Sequence, residues 1–290
     1  MFRRQRTGSV VCPSCGKLVG VNQEKCPYCG RSRPGMWGLT PMLRDLGQDF
    51  GFTEVLMWGC GLIYLITLVV DPSHLFGGGI LGFLSPTGPT LFLFGESGAH
   101  PVFTFGRWWT VLSATWLHGG ALHILFNMLW IRDLGRLTTH VYGGGRMMIL
   151  FTVGGAMGFL ASSAVGYWFA FLPGFLQGAP FTVGASASLF GLLGALIYSG
   201  RRGGSVALGT QARNWAIVLF VFGLLMPQVD NWAHLGGLVG GYLMGRFLDP
   251  AKPERTDHLI LGFVCILLSW GAIALSIVTG LPILRQQGIL

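Results

Sequence analysis

The stretch FTVGASASLFGLLGA, residues 181–195, places Ser186 at the head of an otherwise small and apolar run. A serine hydroxyl becomes a useful nucleophile only when a base takes its proton. A neutral imidazole can do this, and serine plus histidine is the minimum set. A candidate base stands in DNWAHLGG, as His234. Attack on an amide also creates an oxyanion that needs preorganised donors. In HGGALHILFN, His123 and Asn127 are four residues apart and so share one helix face. Their ring N–H and side-chain amide can donate, as can the spare backbone N–H groups of a helix beginning near Gly184. Taken alone, Ser186 reads as a packing residue and His234 as a satisfied polar group between helices. Whether they do chemistry depends on the elements that position them.

Those elements are membrane spans. The chain has 290 residues, 51% of them hydrophobic and only 10% charged. Soluble domains carry roughly a quarter charged residues, so the composition predicts an integral membrane protein. The N-terminus, MFRRQRTGSVVCPSC, is basic without an apolar core segment, so no cleavable signal peptide is expected. Runs free of charge give seven spans. The first lies between Glu54 and Asp71, and the second covers about 111–131. Residues 147–200 carry no charge, and a Pro/Gly cluster at 173–180 divides them into a third span and a fourth beginning near Gly184. The fifth, sixth and seventh cover about 214–226, 231–245 and 259–284. Residues 72–106, rich in Gly, Pro and Phe, are expected to lie partly in the interface. Residues 37–53 read either as a short amphipathic surface helix or as a linker.

With the N-terminus cytoplasmic, 17 of the 19 Lys and Arg residues fall on the inner side, leaving only Arg107 and Arg285 outside. The positive-inside rule therefore predicts the N-terminus in and the C-terminus out. It also accounts for the net charge of +8 through anionic inner-leaflet lipid, without nucleic acid. Arg107 with Trp108 and Trp109 reads as an interfacial anchor. In this topology Ser186, His234, His118, His123 and Asn127, from three spans, share one level near the outer side. Intramembrane ionisable groups are costly and mark functional cavities. Gly237, Gly241 and Gly245 on the sixth span, and Ala187 and Gly191 on the fourth, give small faces that allow close approach. Such an approach would bring Ser186 to His234. Asp230 reads as a helix N-cap, which leaves a dyad without a third carboxylate.

Three segments, HGGALHILFN (118–127), GASASLFG (184–191) and AHLGGLVGG (233–241), resemble in type and order those of the rhomboid family of intramembrane serine proteases. The resemblance covers roughly residues 50–250. It implies an all-α polytopic bundle of six catalytic-unit helices plus one. It also implies Ser186 as nucleophile, His234 as general base, and His123 and Asn127 lining the oxyanion hole. Phe190 would pack against the imidazole, while Gly184, His118, Gly237 and Gly241 would play supporting roles. The expected substrates are single-span transmembrane proteins with small residues at the cut and a helix that unwinds easily, cleaved near the outer face without a catalytic cofactor. The chain departs from the family in two places. Its Gly-x-Ser-Gly ends in Ala187, and its Trp-Arg pair aligns with Trp109 and Thr110.

Cys12, Cys15, Cys26 and Cys29 form two C-x2-C pairs. Four thiolates at this spacing suit tetrahedral structural zinc in a small ribbon, in preference to iron or a redox pair. Such a ribbon is expected to fold with its metal and to offer a surface to a cytoplasmic protein partner. The expected organisation is a basic tail and ribbon (1–36), a juxtamembrane segment (37–53), a catalytic membrane domain (54–250), and a seventh helix with the C-terminus (251–290). A bacterial inner membrane is the expected location. Two rivals stand beside the protease: a rhomboid-like factor that binds membrane proteins without cutting, and a transporter or channel. A transporter would want polar groups at mid-depth along a path.

Overall fold

The computed structural model describes residues 5–40, 51–76, 82–173, 176–226 and 228–289. Near the N-terminus two short strands, β1 (Ser9–Val11) and β2 (Leu18–Gly20), pair antiparallel with Val10 opposite Val19. Only Val10, Val19, Val21 and two cysteines are buried around them, too little apolar surface to hold a fold alone. Two matching turns supply the rest. In CPSCG and CPYCG the first cysteine's carbonyl accepts from the glycine N–H, at 2.9 Å in both. Gly16 and Gly30 each have φ +73°, a left-handed conformation that glycine adopts without strain.

The remainder is helical, as the sequence predicts. Helix α1 (Phe52–Val70) is followed by the short α2 (Gly88–Phe94) and α3 (Thr110–Ser113). Then come α4 (Ala121–Tyr142), α5 (Gly144–Trp168), α6 (Ser186–Arg201), α7 (Val206–Leu225), α8 (Asn231–Phe247) and α9 (Thr256–Gln286). Among the described residues α1, α5, α7 and α9 are long and apolar enough to cross a membrane. Helices α6 and α8 have only 16 and 17 residues. They lie at the centre, packed on each other and on α5, while α7 keeps a mostly exposed apolar face that suits lipid.

Glycine makes this centre tight. A Cβ placed on Gly241 would stand 1.8 Å from the Gly191 carbonyl oxygen, and one on Gly237 would stand 2.1 Å from that of Ala187. Gly194 faces the Leu238 oxygen at 2.0 Å, and Gly154 of α5 meets the Gly191 Cα at 2.7 Å by the same measure. The α6–α8 approach expected from the sequence is present. The third small face, Gly154 and Gly158 on α5, was legible as an i, i+4 pair but was not singled out.

Several helix ends differ from the charge-run boundaries. The second span was expected from about residue 111, but α4 begins at Ala121, and Val111–Trp116 instead forms short turns packed inside. His118 therefore lies in the connection ahead of α4, not within a span. At its other end α4 continues past Arg132 and Arg136. Helix α7 starts at Val206, eight residues before the expected Asn214, capped by the Ser205 hydroxyl on the Leu208 N–H. A charge marks where apolar depth ends, whereas capping groups decide where a helix ends. Of the segment 37–53, residues 41–50 lie outside the described residues, and Phe52 and Thr53 already belong to α1.

Three arginines tie neighbouring helix ends together. Glu54 at the start of α1 pairs with Arg136 on α4 at 3.2 Å. The buried Arg146 donates to the carbonyls of Tyr142, Leu248, Asp249 and Lys252, joining the α4–α5 turn to the α8–α9 connection. The N-terminal ribbon docks at the same end, where Arg31 contacts Asp257 at the start of α9 at 2.5 Å.

Candidate active site

Ser186 is the first residue of α6, so the first-turn N–H groups beside it lack intrahelical acceptors. The chain enters through Gly184 at φ +127°, where a Cβ would sit 2.6 Å from His123 Nε2. Only glycine fits there, in both space and conformation. The Gly184 N–H donates to the Ala114 carbonyl at 2.9 Å, fixing the entry.

His234 lies on the first turn of α8. Its Nε2 is 3.0 Å from Ser186 Oγ, across the glycine-lined contact of the two helices. For Nε2 to accept the hydroxyl proton, the ring hydrogen must sit on Nδ1, which has no partner among the described residues. Among the described residues no carboxylate holds this imidazole. Phe190, one turn along α6, stacks on it instead, with centroids 4.1 Å apart and planes 11° apart. Asp230 caps α8 by accepting from the Ala233 N–H at 3.0 Å, and takes the Ser162 hydroxyl of α5 at 2.6 Å. It fixes the helix that carries His234 without touching the ring.

His123 and Asn127 rise from α4 on one face. The Gly119 N–H donates to His123 Nδ1 at 3.3 Å, which leaves the hydrogen on Nε2, over Gly184. One Asn127 amide hydrogen goes to the His123 carbonyl at 2.8 Å, and the other is free for a further acceptor. His118 is buried, its ring edge-on to His123 at 5.2 Å. Ser186 and His123 keep partial exposure, whereas His234 and Asn127 are buried, so the group opens to its surroundings at the serine. Ala187, where the family carries glycine, places its methyl among Ala114, Phe159 and Ala233.

A base within hydrogen-bond reach of a hydroxyl, beside unspent N–H donors, is an arrangement for acyl transfer. The family model for the Rhomboid domain matches residues 105–250, half of the chain. The chain belongs to the rhomboid family. It is 30% identical over 181 residues to "Rhomboid protease GluP" of Bacillus subtilis, covering 61% of this chain and 33% of that one. It is 32% identical to "RHOMBOID-like protein 5" of Arabidopsis thaliana, over 56% of this chain and 50% of that one. "Inactive rhomboid protein 1" of Rattus norvegicus is 31% identical over 71% of this chain and 21% of its own length. The chain thus spans a fifth to a half of these curated relatives. Rhomboid proteins include serine proteases and inactive members.

Sequence reasoning missed the burial of one charged residue. Arg107 is not an exposed interfacial anchor but is 1% exposed. It donates to the carbonyls of Phe92 at 2.9 Å and Ser276 at 2.8 Å, joining α2 to α9. A charge flanked by tryptophans looks like a membrane-surface girdle in sequence; its burial depends on α9, far along the chain.

The four ribbon thiols come together as well, all within 4.8 Å of one another. Thiolates bound to one zinc at about 2.3 Å stand about 3.8 Å apart in a tetrahedron. Cys12–Cys29 and Cys15–Cys26 are 3.8 and 3.7 Å apart, so these residues fit the ion. Desolvation opposes ionisation of Cys26, yet the Tyr28 and Cys29 amides help to bring its thiol down to about 7. Purified full-length chain is expected to carry one zinc per molecule by elemental analysis. Cys12→Ser with Cys29→Ser should lose it; metal retained by this variant would remove the ribbon cysteines as ligands.

Proposed function

We propose that this rhomboid is an intramembrane serine endopeptidase that cuts transmembrane substrates near the outer face of a membrane by a Ser186–His234 dyad. The observation that carries the proposal is the 3.0 Å contact from His234 Nε2 to Ser186 Oγ, with the ring steadied by Phe190. His234 takes the hydroxyl proton as Oγ attacks the scissile carbonyl. His123 Nε2–H, the free Asn127 hydrogen and the first-turn amides of α6 receive the oxyanion. The imidazolium returns the proton to the leaving amine, and water then releases the acyl group by the reverse sequence. This chemistry needs no cofactor; the ribbon zinc is structural, and the ribbon surface serves a cytoplasmic partner.

The topology belongs to the same proposal. Seven helices, α1 and α4–α9, cross the membrane with the N-terminus inside. Support comes from the gathering of Glu54–Arg136, Arg146 and Arg31–Asp257 at the end opposite Ser186. A bacterial cell membrane suits it, although similar chains come also from a plant and a rat. The alternative, binding without cutting, is suggested by the inactive rat relative; the intact Ser–His contact favours cutting. The test is to reconstitute the chain with a single-span substrate bearing small residues near its outer end. A cut mapped to that end and lost in Ser186→Ala supports the proposal. An uncut substrate that still co-purifies with the chain favours the alternative.

Two further outcomes are expected. Losing one oxyanion donor costs about 10²–10³ in kcat, so Asn127→Ala should lower kcat by that factor and leave KM nearly unchanged. If Asn127 only links helix turns, thermal stability falls while kcat of the folded fraction stays within a few-fold. Phe190→Tyr keeps the stacking face and should retain activity within about threefold, whereas Phe190→Ala frees the ring and should lose at least about tenfold. Equal kcat per folded molecule in all three proteins would reduce Phe190 to core packing.

A further inference from the structure

A buried guanidinium is costly in an apolar interior, and the more so in a membrane. Arg107 is nevertheless almost fully buried, and its contacts have one direction. Its two terminal nitrogens bridge the Phe92 carbonyl of α2 and the Ser276 carbonyl of α9. Its guanidinium lies over the Phe92 ring at 4.2 Å. Trp109 Nε1 donates to Ser276 Oγ at 3.1 Å, so two side chains of one segment grip one residue of α9.

The gripped segment leads to the nucleophile. Beyond α2, the Ser113 hydroxyl donates to the Gly95 carbonyl at 2.7 Å. Residues 97–100 then meet 179–182 at one isolated antiparallel bridge and the helical turn that follows it. Ser97 and Thr182 exchange backbone hydrogen bonds at 3.0 and 2.8 Å, and Ala99 and His100 donate to the carbonyls of Ala179 and Pro180. Four residues after Thr182 comes Ser186, and between them Gly184 is pinned to Ala114 and covered by His123. Polar contacts linked by short stretches of chain, 93–96 and 183–185, thus run from α9 through Arg107 and the Ser97–Thr182 bridge to the start of α6.

We infer that Arg107 is a positioning residue for Ser186, and that α9 acts through Ser276 as the fixed support it pulls against. The inference rests on Ser186 being the nucleophile. Without the bridge, the segment 97–100 loses its fixed edge, the segment 179–184 shifts, and Ser186 Oγ moves relative to His234 and the oxyanion donors. The effect falls on the reaction step, since Arg107 does not line the opening at Ser186. Thr110 donates its hydroxyl to the Arg107 carbonyl at 2.8 Å and so holds the backbone of that residue in place.

The test measures the rate at which a fluorophosphonate labels the serine, together with kcat and KM, in detergent-purified full-length protein. Rates are taken per folded molecule, and thermal midpoints are recorded alongside. Arg107→Met keeps the volume and removes both hydrogen bonds; it should slow labelling and lower kcat at least tenfold, with KM within twofold. Arg107→Lys, which can still donate to one carbonyl, should recover part of the loss. Trp109→Phe removes the bond to Ser276 Oγ while keeping an aromatic ring and both Arg107 bonds; it should slow labelling about threefold, and it decides the matter if Arg107→Met does not fold. Labelling within 1.5-fold of wild type in folded Arg107→Met, or in Trp109→Phe if Arg107→Met is unfolded, overturns the inference, even if the midpoint falls. Failure of the underlying reading looks different: the wild-type protein itself would not label, or would label equally as Ser186→Ala.

Discussion

Ser186→Ala and His234→Ala should each abolish turnover while the protein folds and inserts as before. In subtilisin, removing the serine nucleophile or its base costs roughly 10⁶ in kcat, and removing both costs little more. The same non-additivity is expected here, because the 3.0 Å contact makes the two side chains one device. The cost to stability is small. Ser186→Ala loses one hydrogen bond, worth about 1 kcal/mol net. His234→Ala leaves a cavity against Phe190 and should lower the thermal midpoint further, yet its loss of activity should match that of the serine variant. Turnover of a susceptible transmembrane substrate within tenfold of wild type by either folded variant would end the dyad account.

Gly241→Ala should be damaging to both rate and stability, although it adds only one methyl group two turns from His234. Alanine is the better helix former by about 1 kcal/mol, so propensity alone predicts a gain. Space predicts the reverse. The new Cβ would stand 1.8 Å from the Gly191 oxygen, which is backbone and cannot rotate away. An ordinary carbon–oxygen contact is about 3.3 Å, so α8 must part from α6 by roughly 1.5 Å at that level. Overpacking of this kind costs about 1–3 kcal/mol. Displacing a base by about 1 Å can cost 10² in rate, so kcat of the folded fraction should fall by about that factor. Gly271→Ala on α9 is the control, since nothing lies within 4 Å of its added Cβ, and it should behave as wild type. Unchanged kcat and midpoint in Gly241→Ala would mean that the α6–α8 spacing is not what sets the Ser–His distance.

The sequence carried the site further than it carried the helix ends. Ser186, His234 and Phe190 meet because their helices bear small residues at three- and four-residue spacing, and that periodicity is local and legible. The two C-x2-C pairs likewise declare a four-thiol cluster through spacing alone. Charge runs were a poorer guide. They set α4 to begin near residue 111, because Val111–Leu117 is as apolar as a span, though it packs as short turns under the serine. Arg107 was misplaced for a related reason. Its partners Phe92 and Ser276 are 15 and 169 positions away, and both offer backbone carbonyls, which leave no side-chain signature. The glycine pair on α5 was visible, but its role depends on a three-helix contact that spacing on one helix does not specify.

The central claim is that Ser186 is a nucleophile, and covalent chemistry reads it most directly. Full-length protein, purified in mild detergent, is treated with a fluorophosphonate and analysed by intact mass and peptide mapping. The account predicts one adduct per chain, on the peptide that holds Ser186 and on that residue, absent from Ser186→Ala and strongly reduced in His234→Ala. A folded wild-type protein that takes no adduct, or an adduct that persists unchanged in Ser186→Ala, would contradict it.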